Sequence, residues 1–125
     1  MWKTTNCCSA ATTWQAKTDL PQVANIAIGA LAMDPNNPNV IYAGTGDFRR
    51  NRPFTFGAGG LLKSSDGGES WTVLGQNVFN PAYAQATGQY PQYRAMSAVA
   101  VDPNASARLA VGTNQGLYLS YDAGA

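Results

Sequence analysis

The protein has 125 residues, which is enough for one ordinary domain. Charged residues make up only 12% of the chain, well below the roughly 25% that soluble domains average. Few charges combined with 13 glycines favour a β-rich, turn-rich chain over a helical one. The net charge of +1 offers no basic surface for nucleic acid, and the absence of His removes the commonest general base and the commonest zinc ligand.

The two cysteines, Cys7 and Cys8, are adjacent, so they cannot close a distant loop and have no Cys-x-x-Cys spacing for a metal. Three states stay open for them: ordinary thiols in a turn, a strained vicinal disulfide, or an intermolecular bridge. No apolar run approaches the ~20 residues that span a membrane. The opening "MWKTTNCCSA" lacks the apolar core of a signal peptide. We expect no membrane span, no metal and no cofactor.

Short apolar strands separated by turns follow one another along the chain. In chain order, the pattern predicts strands over 14–16, 25–33, 40–45, 60–64, 71–74, 95–101, 108–112 and 116–120. Tight turns are predicted over Asp34–Asn39 and Asp102–Ala107, because Pro fixes φ there and Asp or Asn can bond its own backbone.

The chain also repeats itself. The segment "NIAIGALAMDPNNPNVIYAGTG" (25–46) resembles "RAMSAVAVDPNASARLAVGTNQG" (94–116), and "GLLKSSDGG" (60–68) resembles "GLYLSYDAG" (116–124). The opening "MWKTTN" is a third copy, and Thr4, Ser64 and Ser120 then correspond at spacings of 60 and 56 residues. A period of this size with four strands per unit predicts an all-β protein of β-propeller blades.

The repeats divide the chain into three parts. We expect residues 1–17 to form the outer strands of a preceding blade, 24–75 a complete four-stranded blade, and 94–125 the first three strands of a following blade. Propellers need about four to eight blades. The chain is therefore interpreted as a fragment of a longer propeller, or as a chain whose copies assemble into a ring.

One motif is specific enough to suggest a family. Ser64-x-Asp66-x-Gly68-x-x-Trp71 matches the Asp-box, or BNR, motif Ser/Thr-x-Asp-x-Gly-x-x-Trp at every defined position. With the strings "WKTTN" and "MDPNNPNVIYAGTGD", it makes the chain resemble the sortilin-like and glycosyl-hydrolase-like BNR-repeat propellers found in many secreted bacterial proteins. The resemblance implies an extracellular or periplasmic protein whose partners are further blades or copies of itself.

The other two boxes are incomplete. Ser120, Asp122 and Gly124 begin a second box. In the third, which opens at Thr4, Asn replaces Asp and Cys replaces Gly, and the Trp arrives three residues late. That turn is expected to depart from the standard shape.

The Asp-box is expected to be structural. Asp66 and Asp122 can accept bonds from backbone N–H groups in the turn, Gly68 can adopt positive φ, and Trp71 can bury its ring. A single carboxylate supplies too few oxygen ligands for calcium. Catalysis by this Asp is also disfavoured.

Function is expected on the opposite ends of the strands, because successive antiparallel connections alternate between two faces. The short turns and the boxes share one face, and the long loops 47–58 and 75–93 share the other, where function tends to lie. The candidate ligand-binding residues of these loops are Asp47, Arg49, Arg50, Arg52, Phe54, Phe56, Phe79, Tyr83, Tyr90 and Tyr93. They can stack on sugar rings and bond hydroxyls, or they can simply cover the rim of the propeller.

Two functions remain in competition. The first is a non-catalytic structural or interaction segment that binds glycan or protein through these loops. The alternative is part of a propeller glycoside hydrolase, sialidase-like or xyloglucanase-like. Glycosidases need two carboxylates about 5–10 Å apart, and only Asp19 and Asp47 are expected on the long-loop face. The pair Phe48-Arg49 lacks the Pro of the sialidase motif, and no complete catalytic constellation is found.

Overall fold

The computed structural model of the chain describes residues 1–18, 27–47, 59–79 and 94–125. Nearly all regular structure in these ranges is β, and the prediction of an all-β chain is confirmed. The strands are β1 (Trp2–Lys3), β2 (Gln15–Ala16), β3 (Ile28–Asp34), β4 (Asn37–Thr45), β5 (Leu61–Ser64), β6 (Thr72–Leu74), β7 (Met96–Asp102), β8 (Ala105–Thr113) and β9 (Gly116–Ser120). One short helix, α1, covers Gln76–Phe79.

The strands form three antiparallel sheets, as expected for propeller blades. The first sheet pairs β1 with β2, the second has the order β3-β4-β5-β6, and the third has the order β7-β8-β9. Every pairing joins strands that are consecutive in sequence, so each sheet is a simple meander. Within the described ranges, β9 therefore pairs with a neighbour on one side only.

The hairpin turns are tighter than the sequence predicts. β3 ends at Asp34 and β4 begins at Asn37, so the turn holds only two residues and not the whole of Asp34–Asn39. The Asp34 carboxylate accepts a hydrogen bond of 2.9 Å from the Asn36 N–H, which closes the turn early. A register shift between Met33 and Asp34 lets Asp34 pair with Asn37. The hairpin of β7 and β8 repeats this shift between Val101 and Asp102.

Helix α1 was not predicted. It begins after Gly75, which has φ of +59° and whose carbonyl accepts bonds of 2.9 Å from the N–H groups of Val78 and Phe79. Phe79 is 7% exposed and meets the Tyr118 ring edge-on at 5.3 Å between centroids. The short helix is therefore held by one buried aromatic side chain, since four residues are too few for a helix that is stable by itself.

The core lies between the sheets. The main cluster fills the space between the second and third sheets and comprises Tyr42, Leu61, Phe79, Met96, Leu109 and Val111. A smaller cluster of Ala43 and Leu62 faces the first sheet and packs against Met1 and Trp71. Burying one such Leu or Val side chain contributes about 1.5–3 kcal/mol, so stacking of the sheets is the chief source of stability. Among the residues described, no helix is long and apolar enough to cross a membrane.

Candidate functional site

The strands present two different ends, which we call the turn face and the loop face. The turn face carries the β3–β4 and β7–β8 hairpins together with the turns that begin at Ser64 and Ser120. Two equivalent backbone bonds of 2.8 Å join hairpin to box, from the Gly67 N–H to the Asn39 carbonyl and from the Ala123 N–H to the Ala107 carbonyl. The loop face lies at the opposite strand ends and includes Asp47.

The first box is a closed hydrogen-bonded turn. The Ser64 hydroxyl donates to Asp66 Oδ1 at 2.7 Å and accepts from the Gly68 N–H at 2.8 Å. Asp66 Oδ1 also accepts from the Glu69 N–H at 3.0 Å and the Ser70 N–H at 2.9 Å. Asp66 Oδ2 accepts from the Ser70 hydroxyl at 2.5 Å. Both carboxylate oxygens are thus engaged within the turn.

The other two boxes reproduce parts of this network. The Ser120 hydroxyl donates to Asp122 Oδ1 at 2.6 Å and accepts from the Gly124 N–H at 2.8 Å. In the first sheet, Asn6 takes the place of the Asp, and its Oδ1 accepts from the Thr13 N–H at 3.0 Å. The Ser70 N–H, which fills that role in the first box, lies four residues beyond its Asp, whereas Thr13 lies seven beyond Asn6. This turn therefore differs from the first box in shape.

Glycine and tryptophan complete the first box by packing. Gly68 is buried and has φ of +87°, where a side chain is strained. A Cβ there would lie 3.5 Å from the Trp71 ring, so the indole packs directly beneath the turn. Trp71 joins the smaller core cluster.

The box carboxylates are poor candidates for acid catalysis. Hydrogen bonds from the hydroxyl and N–H of Ser70, and then from Ser64, hold the pKa of Asp66 well below its usual range. The Ser120 hydroxyl likewise lowers the pKa of Asp122. A general acid at neutral pH needs a raised pKa. These carboxylates are ionised hydrogen-bond acceptors whose partners are the turn itself.

Side chains on the turn face also join neighbouring sheets. Asn36 Nδ2 donates to the Pro103 carbonyl at 2.9 Å, and the Ser106 hydroxyl donates to Asp34 Oδ1 at 3.0 Å. These bonds connect the hairpins of the second and third sheets. The sequence pattern did not reveal them, because Asn36 and Ser106 stand at ordinary turn positions.

Glu69 forms the corresponding link to the first sheet. Its carboxylate contacts Lys3 Nζ at 2.6 Å and Lys17 Nζ at 2.5 Å. These two lysines, with Lys17 contributing more, lower the pKa of Glu69. The only Glu of the chain is thereby committed to an ion-pair network between sheets.

Most of the acidic side chains of the chain lie on the turn face and contact polar or charged groups there. Five of the seven carboxylates lie on the turn face with polar partners: Asp34, Asp66, Glu69, Asp102 and Asp122. Asp47 follows β4 on the loop face and is partly buried. Asp19 lies outside the described residues.

The described part of the loop face is organised around Arg94. Its Nη1 donates to the Val78 carbonyl, and its Nε donates to Gln115 Oε1 at 3.3 Å. The guanidinium also lies 5.5 Å from the centroid of the Tyr118 ring. Arg94 therefore ties α1 to the turn between β8 and β9.

The predicted ligand-binding residues fall into two groups. Of those that the structure describes, Asp47 lies on the loop face, while Phe79 lies in the core and not in an open loop. An apolar groove of about 230 Å³ lies beside Phe79 and is lined by side chains of both the second and the third sheets, among them Leu74 and Leu119, and by Val78 of α1. The remaining predictions lie outside the described residues: Arg49, Arg50, Arg52, Phe54, Phe56, Tyr83, Tyr90 and Tyr93.

A pair of equivalent bonds closes the loop-face connections. The Thr45 hydroxyl donates to the Gly60 carbonyl at 2.6 Å, and the Thr113 hydroxyl donates to the Gly116 carbonyl at 2.9 Å. Fourteen residues separate Thr45 from Gly60, but only two separate Thr113 from Gly116. The sequence does contain a signal for these bonds. When the two repeats are aligned, each Gly-Thr pair at the end of one strand is followed by a glycine at the start of the next.

Comparison with known proteins gives structural matches only. No model of a protein family matches the chain, and no curated protein does. A GH74 xyloglucanase from Xanthomonas campestris superposes on 89% of this chain with 30% sequence identity and a TM-score of 0.56. An ancestral GH74 enzyme superposes on the same share with 25% identity and a TM-score of 0.63. The chain spans 15% and 13% of these two structures, so it resembles a segment of a GH74 propeller.

Proposed function

We propose that this chain is a segment of a GH74-like propeller glycoside hydrolase that acts on a xyloglucan-type β-glucan. The observation that carries the proposal is the match to a GH74 xyloglucanase over 89% of the chain at 30% identity. The match favours a hydrolase over the purely structural or interaction segment that the sequence first suggests. The proposed location is extracellular or periplasmic.

In this proposal the two faces have separate tasks. The turn face holds the blades together through the boxes and the links between hairpins. The loop face, with segments 47–58 and 75–93, supplies arginine, aromatic and carboxylate side chains that stack on sugar rings and bond hydroxyls. The blades are assigned as 1–17, 24–75 and 94–125, and further blades are the proposed partners.

Catalysis requires two carboxylates on opposite sides of the glycosidic bond. Asp47 and Asp19 are the two acidic residues expected on the loop face, and they are therefore the residues of this chain proposed to act there. Asp47 either contributes to the catalytic pair or orients the sugar by accepting hydrogen bonds from its hydroxyls.

A second candidate function is glycan binding without catalysis. It is favoured by the commitment of five of the seven carboxylates to the turn face. In this version the catalytic pair belongs to other blades, and the segment only helps to hold the polysaccharide.

Both candidates are tested with xyloglucan, using affinity electrophoresis for binding and release of reducing ends for hydrolysis. The variants are Asp19→Ala and Asp47→Ala, with Asp102→Ala on the turn face as the matched control and a sialylated glycan as the substrate control. We expect xyloglucan binding that Asp47→Ala weakens at least several-fold and Asp102→Ala leaves unchanged.

The outcomes separate the candidates. Hydrolysis that Asp47→Ala or Asp19→Ala abolishes would assign catalysis to this chain. Binding without release of reducing ends would assign it the binding role. Failure of the folded wild-type chain to bind or cleave xyloglucan would overturn the proposal.

A further inference from the structure

The loop between β1 and β2 holds two adjacent cysteines at its exposed apex. Asn6 organises this loop from within, since its Nδ2 donates to the Ala11 carbonyl at 3.0 Å and its own carbonyl accepts from the Ser9 and Thr12 hydroxyls. Cys7 and Cys8 are both exposed and carry free thiols. The apex is therefore anchored by its flanks while its sulfur atoms face solvent.

The backbone at the apex is unusual for cysteine. Cys8 has φ of +69°, close to the +87° of Gly68 and Gly124, which hold the equivalent position in the other two boxes. Positive φ is uncommon for residues other than glycine, asparagine and aspartate. The box turn thus imposes on Cys8 a conformation that its own preferences do not explain.

This conformation brings the two sulfur atoms together. Cys7 Sγ and Cys8 Sγ are 3.0 Å apart, about 1 Å beyond the length of a disulfide bond. They are also the only cysteines of the chain, so each is the only partner the other has within one molecule. The contact with the Cys8 thiol raises the pKa of Cys7, which is the expected effect of two thiols sharing one site.

We propose that Cys7 and Cys8 form a redox-active dithiol that small-molecule disulfides oxidise reversibly to an intrachain Cys7–Cys8 disulfide. One cysteine thiolate attacks a sulfur atom of the oxidant, forms a mixed disulfide and expels one small thiol. The second cysteine then attacks the protein sulfur of that mixed disulfide and expels the other small thiol. The protein loses two electrons and two protons, and the oxidant is reduced to two thiols.

The product is a switch and not a permanent staple. Adjacent Cα atoms across a trans peptide lie about 3.8 Å apart, whereas disulfides usually join Cα atoms about 4.4–6.8 Å apart. A bond formed under this restraint is strained and easily reduced. Exposure of both sulfur atoms gives oxidant and reductant access to the pair.

The test equilibrates the folded chain with mixtures of oxidised and reduced glutathione and quenches it by alkylation. Trypsin cleavage after Lys3 and Lys17 releases one peptide that holds both cysteines, and its mass reports their state. We expect oxidised glutathione to convert this peptide to a form lighter by two hydrogen atoms, without alkylation and without dimer formation. Excess dithiothreitol should restore two alkylated thiols.

Cys7→Ser and Cys8→Ser are the matched controls. Each keeps one exposed thiol and should accumulate a glutathione adduct instead of an internal bond, which also shows that the oxidant reaches the site. A wild-type chain that accumulates stable glutathione adducts or disulfide-linked dimers would overturn the proposal. Wild-type thiols that stay reduced while the single variants react would overturn it as well.

Discussion

Ser64 shows how one hydroxyl determines the shape of the first box. It is 1% exposed and serves three bonds, as donor to the Asp66 carboxylate and as acceptor from the N–H groups of Asp66 and Gly68. The Gly68 N–H is buried, so removal of its partner leaves an unsatisfied donor inside the protein. Although it is small, the Ser64 side chain is therefore expected to contribute substantially to the stability of the fold.

We expect Ser64→Ala to lower the free energy of unfolding by about 1–3 kcal/mol, because the buried N–H then loses its acceptor. Ser120→Ala is the matched variant in the second box, where Ser120 is only partly buried and its acceptance from Gly124 is closer to solvent. It should cost less. Urea denaturation of both variants measures the difference, and an equal or reversed order would contradict this role for Ser64.

Acid should destabilise the fold through the same boxes. The pKa values of Asp66 and Asp122 are lowered in the folded chain, whereas an unfolded Asp titrates near pH 3.9. The unfolded state then binds protons first, so this stabilisation is complete above about pH 4 and is lost as the pH falls below it. The urea concentration that unfolds half of the protein should decrease once the pH falls below about 4. This decrease should be less steep for Asp66→Asn than for the wild type. A flat profile through this range would argue against the prediction.

At the scale of the elements, two equivalent glycines differ in their surroundings. Gly60 directly precedes β5 and Gly116 is the first residue of β9, with φ of +120° and +130°. A Cβ on Gly60 would lie 2.6 Å from the Leu74 backbone oxygen, whereas a Cβ on Gly116 would meet nothing within 4 Å. Both positions thus impose the same backbone strain, and only one adds a clash.

Gly60→Ala should therefore lower the free energy of unfolding more than Gly116→Ala does. We expect a difference of about 1–3 kcal/mol, the usual cost of overpacking, because both variants share the backbone strain and only the first collides with β6. Thermal or urea unfolding of the two proteins provides the measurement. Equal losses would show that β6 moves away without cost.

The elements also show what the sequence could predict and what it could not. Alternating apolar runs between Pro-Asn turns identified the strands of the second and third sheets, because period-2 burial is a local property. Helix α1 escaped prediction since four residues carry no periodicity and Phe79 is held by a distant partner, Tyr118. The sequence pattern assigns Phe79 to a ligand-binding loop because its contact with Tyr118 joins residues that are far apart in the chain. Asp47 could be assigned to the loop face because consecutive antiparallel strands alternate in direction, so the connection after β4 lies at the opposite end from the β3–β4 turn.

At the scale of the whole molecule, the second and third sheets leave some large apolar side chains exposed. Leu117 and Leu119 on β9 are 69% and 59% exposed, and Leu31 on β3 is 61% exposed. Among the described residues, β9 is paired on one side only, and an exposed apolar surface beside such an edge favours association. The chain should therefore form oligomers as its concentration rises.

Light scattering coupled to size-exclusion chromatography tests this expectation. A Leu117→Lys, Leu119→Lys double variant should shift the chain toward monomer, because two charges then oppose burial of the β9 surface. The Asn104→Lys, Ala107→Lys variant adds the same charge to the turn face and should not. A folded wild-type chain that stays monomeric across the concentration range would show that this surface tolerates water.

The two Thr–Gly bonds on the loop face have a consequence for diversity. The same bond joins the end of one strand to the start of the next, although two residues lie between them in one sheet and fourteen in the other. The strand ends are therefore held in the same way whatever the length of the connection. Lengthening a flexible connection between fixed ends costs little, roughly 0.6 kcal/mol for each doubling. Each of these two sheets can therefore accept loop-face connections of different length and sequence without a change in its own strands.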